Sequence, residues 1–396
     1  MTSADARRLA PLLLSLAACG GGSSAPPAGQ AGPPPNVLPV SVDGAGCSAG
    51  SYLNKPCVSV TVCEPRTSTC QTIGDLLLDT GSVGLRVFSQ VLTLHLPPVS
   101  SGGGSLAECV GYLDGSAHWG PVVLASVALG SEPAVEIPVQ VIDATYASPP
   151  AACQAAEASP AAAGFNGILG VGTFEQDCGP GCTVTSNGMY YACGAASCAP
   201  AAVALASQLQ NPVAALPVDN NGLVIRLPGV AAAGASAVEG EVLLGIGTRS
   251  NNVPPGSAVA LPLDASGEFR TTLGGATVTA FLDTGSNGLF FAAPPGAGLA
   301  ACAAPDAAWY CPASTVTVDT SSSGATGGPA AAVPVQVGNF LALTAPASVN
   351  VCGLVAGPVG PASSFDWGLP FHLGRDVYLG LEGRRSSLGA GPLVAW

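Results

Sequence analysis

Charge is scarce in this 396-residue chain. Only 9 % of residues are Asp, Glu, Lys or Arg, lysine occurs once, at Lys55, and the formal net charge is −13. No basic stripe exists to neutralise phosphates, so nucleic-acid binding is excluded as a role. Beyond the first twenty residues no segment is long and apolar enough to cross a bilayer as a helix. There is no phosphate loop and no dinucleotide fingerprint, which removes kinase and nicotinamide-enzyme chemistry. The three histidines, His95, His118 and His372, share no ligand-like spacing and read as surface or packed residues. No metal or organic cofactor is expected.

Glycine and proline are abundant, at 53 and 36 residues, which favours turns and short strands over long helices. Stretches such as "VLASVALG", "VEIPVQVI" and "STVTVDT" alternate with the period of a strand. The expected fold class is all-β with a few short helices, and hydrophobic residues at 48 % suffice for a sizeable core. One short helix is expected at about 201–210, and "DTSSSGATGGPAAA" from Asp319 reads as loop.

The N-terminus reads as an export signal. Arg7 and Arg8 precede a short apolar run that ends in Leu16-Ala17-Ala18-Cys19. Residues 1–19 resemble a bacterial lipoprotein signal, which implies lipidation at Cys19 and anchoring to the cell envelope. Residues 20–36 are a Gly/Ser/Pro-rich tether. Export implies an oxidising compartment. Of the 14 cysteines, the 13 beyond Cys19 are then expected mostly in disulfides, with at least one left over. Cys302 and Cys311 could close a small loop. Cys178, Cys182, Cys193 and Cys198 have a spacing open to zinc, but disulfides suit the compartment better.

One segment occurs twice. "LLLDTGSVGL" places Asp79-Thr80-Gly81-Ser82 behind an apolar run, and "TAFLDTGSNGLFF" places Asp283-Thr284-Gly285-Ser286 behind another about 200 residues later, roughly one lobe's length. An apolar strand can deliver such an aspartate to the base of a cleft. Gly81 and Gly285 permit the tight turn, and their N–H groups can donate to the carboxylate. Thr80 and Thr284 can brace one loop against the other. Ser82 and Ser286 can hydrogen-bond the carboxylates and favour their ionised form. Two such loops face to face would make a pair of carboxyls share one proton, so that one is a general base toward water and the other a general acid.

These motifs resemble the bilobal pepsin-like aspartic proteases, in which each lobe supplies one Asp-Thr-Gly loop. The resemblance runs from about Val37 to Trp396 and implies a lobe at 37–220 and a second at 221–396. Tyr112, in "CVGYLDGSAHWG", is similar to the flap tyrosine that closes over substrate. Ile168-Leu169-Gly170 resembles the element that backs the first catalytic loop, and Gly368, in "FDWGLPFHLG", is the looser counterpart for the second. The implied activity is hydrolysis of peptide or protein substrates by a monomer, with Asp79 and Asp283 catalytic; the hydroxyl-bonded carboxylates predict an acidic optimum. The alternative is a surface lipoprotein that captures peptide or glycan without cleaving it. A narrower likeness is to bacterial exported proteins of unknown function with paired D-T-G-S-x-G-L motifs. Departures are Arg86, where the eukaryotic enzymes usually carry an aromatic residue, the cysteine-rich stretch from Cys178 to Cys198, and the lack of a visible inhibitory prosegment. Asp143, Asp366 and Asp376 read as turn or rim residues.

Overall fold

A computed structural model describes residues 34–43, 47, 52–102, 104–194, 197–359 and 364–396. The expected signal at 1–19, with Cys19, and nearly all of the expected tether lie outside these residues. Residues 34–396 pack as one compact unit.

Strand alternation converts directly into architecture. In Pro56–Cys63, Val58, Val60 and Val62 alternate with Ser and Thr and point into the core. Cys70–Asp79 begins half-exposed and ends in Leu76-Leu77-Leu78, all buried, because its far end runs between two neighbouring strands. Six strands close on themselves: Pro56–Cys63, Cys70–Asp79, Gly167–Val171, Val83–Phe88, Val135–Ile142 and Ala117–Ala128. The ring shuts where residues 61–63 pair with 126–128. Closure leaves these strands no free edge.

The sheet continues outward from the barrel. Val37–Val42 pairs with both Pro56–Cys63 and Val238–Leu244, and the latter leads to Gly222–Leu227, Arg375–Gly380 and Leu393–Ala395. A separate seven-stranded sheet is built from the C-terminal half. At its centre Ala276–Asp283 lies between Phe269–Leu273 and Ser364–Gly368. One apolar cluster runs through the barrel, the linking strands and the second sheet, from Val40 and Leu78 to Leu282, Trp367 and Leu379.

The protein is all-β as expected: among the described residues its four α-helices are four or five residues long. Two local expectations fail. The helix at 201–210 is only a 3-10 turn at Leu205–Ser207. Gln208 donates to Gly179 and Val203 carbonyls, and Leu209 N–H donates to the Tyr190 hydroxyl, so the segment is held by non-helical partners. The Ser/Gly/Ala stretch after Asp319 is a hairpin of Thr320–Gly324 and Gly327–Ala332, whose first strand is anchored beside Phe269–Leu273. Small residues suit that edge because they demand little space; they carry no strand signal of their own.

Six disulfides form: Cys47–Cys57, Cys63–Cys70, Cys109–Cys153, Cys178–Cys182, Cys193–Cys198 and Cys302–Cys311. The four clustered cysteines are thus paired with one another, and the leftover thiol is the buried Cys352. This disulfide content fits an exported protein. No helix among the described residues is long and apolar enough to cross a membrane.

Candidate active site

The two aspartates are presented by the same device, built twice. Asp79 ends its strand opposite Gly170, in parallel register with Leu77 opposite Ile168 and Leu78 opposite Leu169. Asp283 ends its strand opposite Gly368, with Phe281 opposite Asp366 and Leu282 opposite Trp367. The strand after each loop returns antiparallel along the same backing strand, pairing Gly84 with Gly170 and Leu289 with Trp367. The backing glycines are required by space. A Cβ on Gly170 would stand 2.7 Å from the Val83 nitrogen, and one on Gly368 only 2.0 Å from the Gly288 carbonyl oxygen. Trp367-Gly368-Leu369, the looser match by sequence, therefore occupies the same structural place as Leu169-Gly170-Val171.

The two loops interlock. Thr80 Oγ1 donates to the Leu282 carbonyl at 3.0 Å and accepts from the Thr284 N–H at 3.0 Å. Thr284 Oγ1 donates to the Leu78 carbonyl at 2.7 Å and accepts from the Thr80 N–H at 3.1 Å. All four bonds are buried, so each loop supplies the partners that the other loop's backbone needs.

Each carboxyl is held by its own loop. Gly81 N–H donates to Asp79 Oδ1 at 2.7 Å and Ser82 Oγ donates to Asp79 Oδ2. Gly285 N–H donates to Asp283 Oδ1 at 2.8 Å and Ser286 Oγ to Asp283 Oδ2 at 2.8 Å. Each carboxyl also lies beneath the opposite glycine: a Cβ on Gly81 would come within 2.8 Å of Asp283 Cγ, and one on Gly285 within 3.0 Å of Asp79 Oδ1. Burial pushes the Asp283 carboxyl well above the usual carboxylate range; the charges of Asp79 and Asp366, with a hydrogen bond to Asp79, push the same way, and Ser286 opposes them.

Tyr112 lies where the hairpin between Gly104–Gly111 and Ala117–Ala128 turns, with Leu113 at the tip almost fully exposed. A recess of about 230 Å³ opens beside Thr80 and Gly81, bounded by Leu113, Phe174, Glu268 and Phe281. The Tyr112 hydroxyl is 3.1 Å from His118 Nδ1, and His118 Nε2 is 2.8 Å from Glu157. Burial raises the proton affinity of the Tyr112 phenol, and Asp79 is among the charges it feels.

Several participants were missed from sequence. His118 is fully buried beneath the hairpin, in edge contact with Phe88 and Tyr112, and Glu157 arrives from a distant loop. Asn54 donates to the carbonyl of Asn287, just after the second aspartate loop, and also bonds both backbone groups of Cys352. Its position in the chain gives no sign of this. Arg86, the residue in place of an aromatic, is buried and donates to Glu108 at 2.6 Å and to Asp177 at 3.3 Å. Burial opposes its charge, but the two acids outweigh it. The cysteine-rich stretch extends this region, since Tyr190–Cys193 pairs with the hairpin strand Gly104–Gly111.

Asp366 is neither a turn nor a rim residue. It lies inside Ser364–Gly368, is 5 % exposed, and reaches toward Ser286. Of the other two acids, Asp143 caps a turn through Thr145, and Asp376 pairs with Arg226 on Gly222–Leu227.

No curated protein matches the chain. Residues 32–396 match the family described as "Protein of unknown function (DUF3443)", and the chain belongs to that family.

Proposed function

We propose that this protein is an exported aspartic-type hydrolase of amide bonds, with the work shared between Asp79 and Asp283. The observation that carries the reading is the interlock of the two D-T-G-S loops, which sets the two carboxyls against each other. Two like charges so close cannot both ionise readily, so the pair holds one proton. Asp283, whose proton affinity is raised, carries it and protonates the carbonyl oxygen of the substrate. Asp79 takes a proton from the attacking water. Gly81 and Gly285 N–H groups and the Ser82 and Ser286 hydroxyls fix the orientation of the carboxyls. The open recess beside Thr80 and Gly81 receives the substrate chain, and Tyr112 covers it.

The fold proposed for this task is pepsin-like, with lobes at 37–220 and 221–396 that each contribute one loop. The protein works as a monomer, tethered to the bacterial envelope through a lipid on Cys19. Neither metal nor organic cofactor enters the mechanism.

The test is incubation of purified protein with a denatured substrate library across about pH 3 to 8, with and without a pepstatin-type inhibitor. Cleavage should be blocked by the inhibitor and should fall by about 10²–10⁴ in Asp79→Asn, the range for losing a general base. Retention of ligand with no cleavage at any pH would replace the hydrolase with the capture protein.

A further inference from the structure

The internal repeat exposes an anomaly. The backing strands are equivalent by register, Ile168 opposite Leu77 in one and Asp366 opposite Phe281 in the other. Ile168 packs with Leu77, Phe88, Ile142 and Phe165. The second copy puts a carboxyl in that apolar place. It is only 5 % exposed, and its Oδ1 has no hydrogen-bond partner among the described residues. A buried acid without a counter-ion is costly, and packing alone would be better served by the isoleucine of the first copy.

The surroundings specify the acid's protonation state. The groups acting on it are Ser286, from the second aspartate loop, and Asp79, from the first; Asp366 in turn acts on Asp283. Its neighbours across the pairing strands are Phe281 and Phe290, and no cation among the described residues pairs with it. Ser286 Oγ has one proton, which it donates to Asp283 Oδ2 at 2.8 Å. Toward Asp366 the same oxygen can only accept, so a favourable contact needs a proton on Asp366.

We propose that Asp366 is a positioning residue of the site: a third carboxyl, held protonated, that donates to Ser286 and so commits the serine's proton to Asp283. The assignment rests on the reading of Asp79 and Asp283 as the working pair. Burial, first, and the charge of Asp79 push the Asp366 carboxyl up to about 8, so it keeps its proton at neutral pH. Ionisation of Asp366 would set two carboxylates competing for one hydroxyl proton. It would also place a further negative charge beside the pair.

The experiment has two arms. Infrared difference spectra of the full-length wild type against Asp366→Asn are recorded between about pH 6 and 10. A protonated-carboxyl band should be present in wild type at neutral pH, absent from the variant, and lost in wild type as pH rises through about 8. Identical spectra at neutral pH overturn the proposal, and this arm needs no turnover. The second arm follows hydrolysis. Asp366→Asn keeps an N–H donor for Ser286 and cannot ionise, so its basic limb moves to higher pH while its maximal rate stays within about tenfold. Asp366→Ile, the residue of the first copy, removes the donor as well and falls further, with partial rescue by Asn marking the hydrogen bond. Equal pH limbs in all three chains refute the role. If the band behaves as stated and wild type cleaves nothing, the hydrolase reading fails while the protonated third carboxyl stands.

Discussion

Among single residues, the buried acids leave a signature in how stability depends on pH. Asp366 has a folded-state value of about 8 against a usual 3.8, so the folded chain holds a proton that the unfolded chain releases between those limits. Its contribution is complete below about pH 4 and is lost as pH rises through 8. His372 works in the opposite direction. It is fully buried, its ring nitrogens lack side-chain partners, and burial holds it neutral down to about 3. Its stabilisation is complete above about 6.5 and is lost on acidification. The two oppose each other in mild acid, and only the acids act between about pH 6.5 and 8. There the wild type should lose up to about 1.4 kcal/mol per pH unit for each proton held by the fold. Denaturant melts across this window should show a shallower slope for Asp366→Asn, and an unchanged slope would mean that Asp366 is already ionised. The expected acidic optimum rested on the serine hydroxyls, and Ser286 does lower the proton affinity of Asp283. Burial and the neighbouring carboxyls act more strongly and extend the proton-holding range upward.

Within the elements, two glycines decide whether the aspartate loops can form. A methyl group at residue 368 would meet the carbonyl oxygens of Gly288 and Ser286 at 2.0 and 2.6 Å, both backbone atoms that cannot swing aside. Gly368→Ala should cost about 1–3 kcal/mol or more as an overpacked site, measured by urea denaturation. Hydrolysis should fall further than stability does, because the displaced segment carries Ser286. A neutral effect on both would show that the backing strand does not position the loop. What sequence could reveal follows the same division. The doubled D-T-G-S, Ile168-Leu169-Gly170 and Tyr112 were legible because a short local pattern carries each of them. Asp366 was not. A lone aspartate three residues before a proline-containing helical turn looks like a turn residue, and only parallel pairing with 276–283 shows that it is inside. His118 and Glu157 are joined across 39 positions, and no spacing rule marks such a pair. The hairpin after Asp319 was hidden because Ser, Gly and Ala lack β-propensity, and tertiary packing supplied what the residues did not.

At the scale of the molecule, the centre depends on two distant parts of the chain meeting correctly. Thr80 and Thr284 cross-bond loops 204 positions apart. Thr80→Val and Thr284→Val each strand buried backbone groups, at about 1–3 kcal/mol apiece. Because each hydroxyl serves the other loop, the double variant should cost less than the two singles added, with a coupling of about 0.5–3 kcal/mol. Strict additivity in chemical denaturation would mean that the loops do not brace one another. Asn54 adds a further tie by holding Asn287 and Cys352 from the N-terminal side. The duplication that the two sequence copies suggested is present in the pairing register itself, down to the glycine opposite each aspartate. The cross-bonding threonines were foreseeable from that symmetry; the buried Arg86–Glu108–Asp177 group was not, since it joins three strands and loops that are far apart in sequence.

The most direct measurement is a carbon-13 NMR titration of the Asp283 carboxyl in wild type and in Asp79→Asn. If the two acids share a proton, Asp283 titrates well above the usual carboxylate range in wild type and falls toward that range once the Asp79 charge is removed. A superimposable titration in the two chains would contradict the shared proton, and with it the hydrolytic role proposed for the pair.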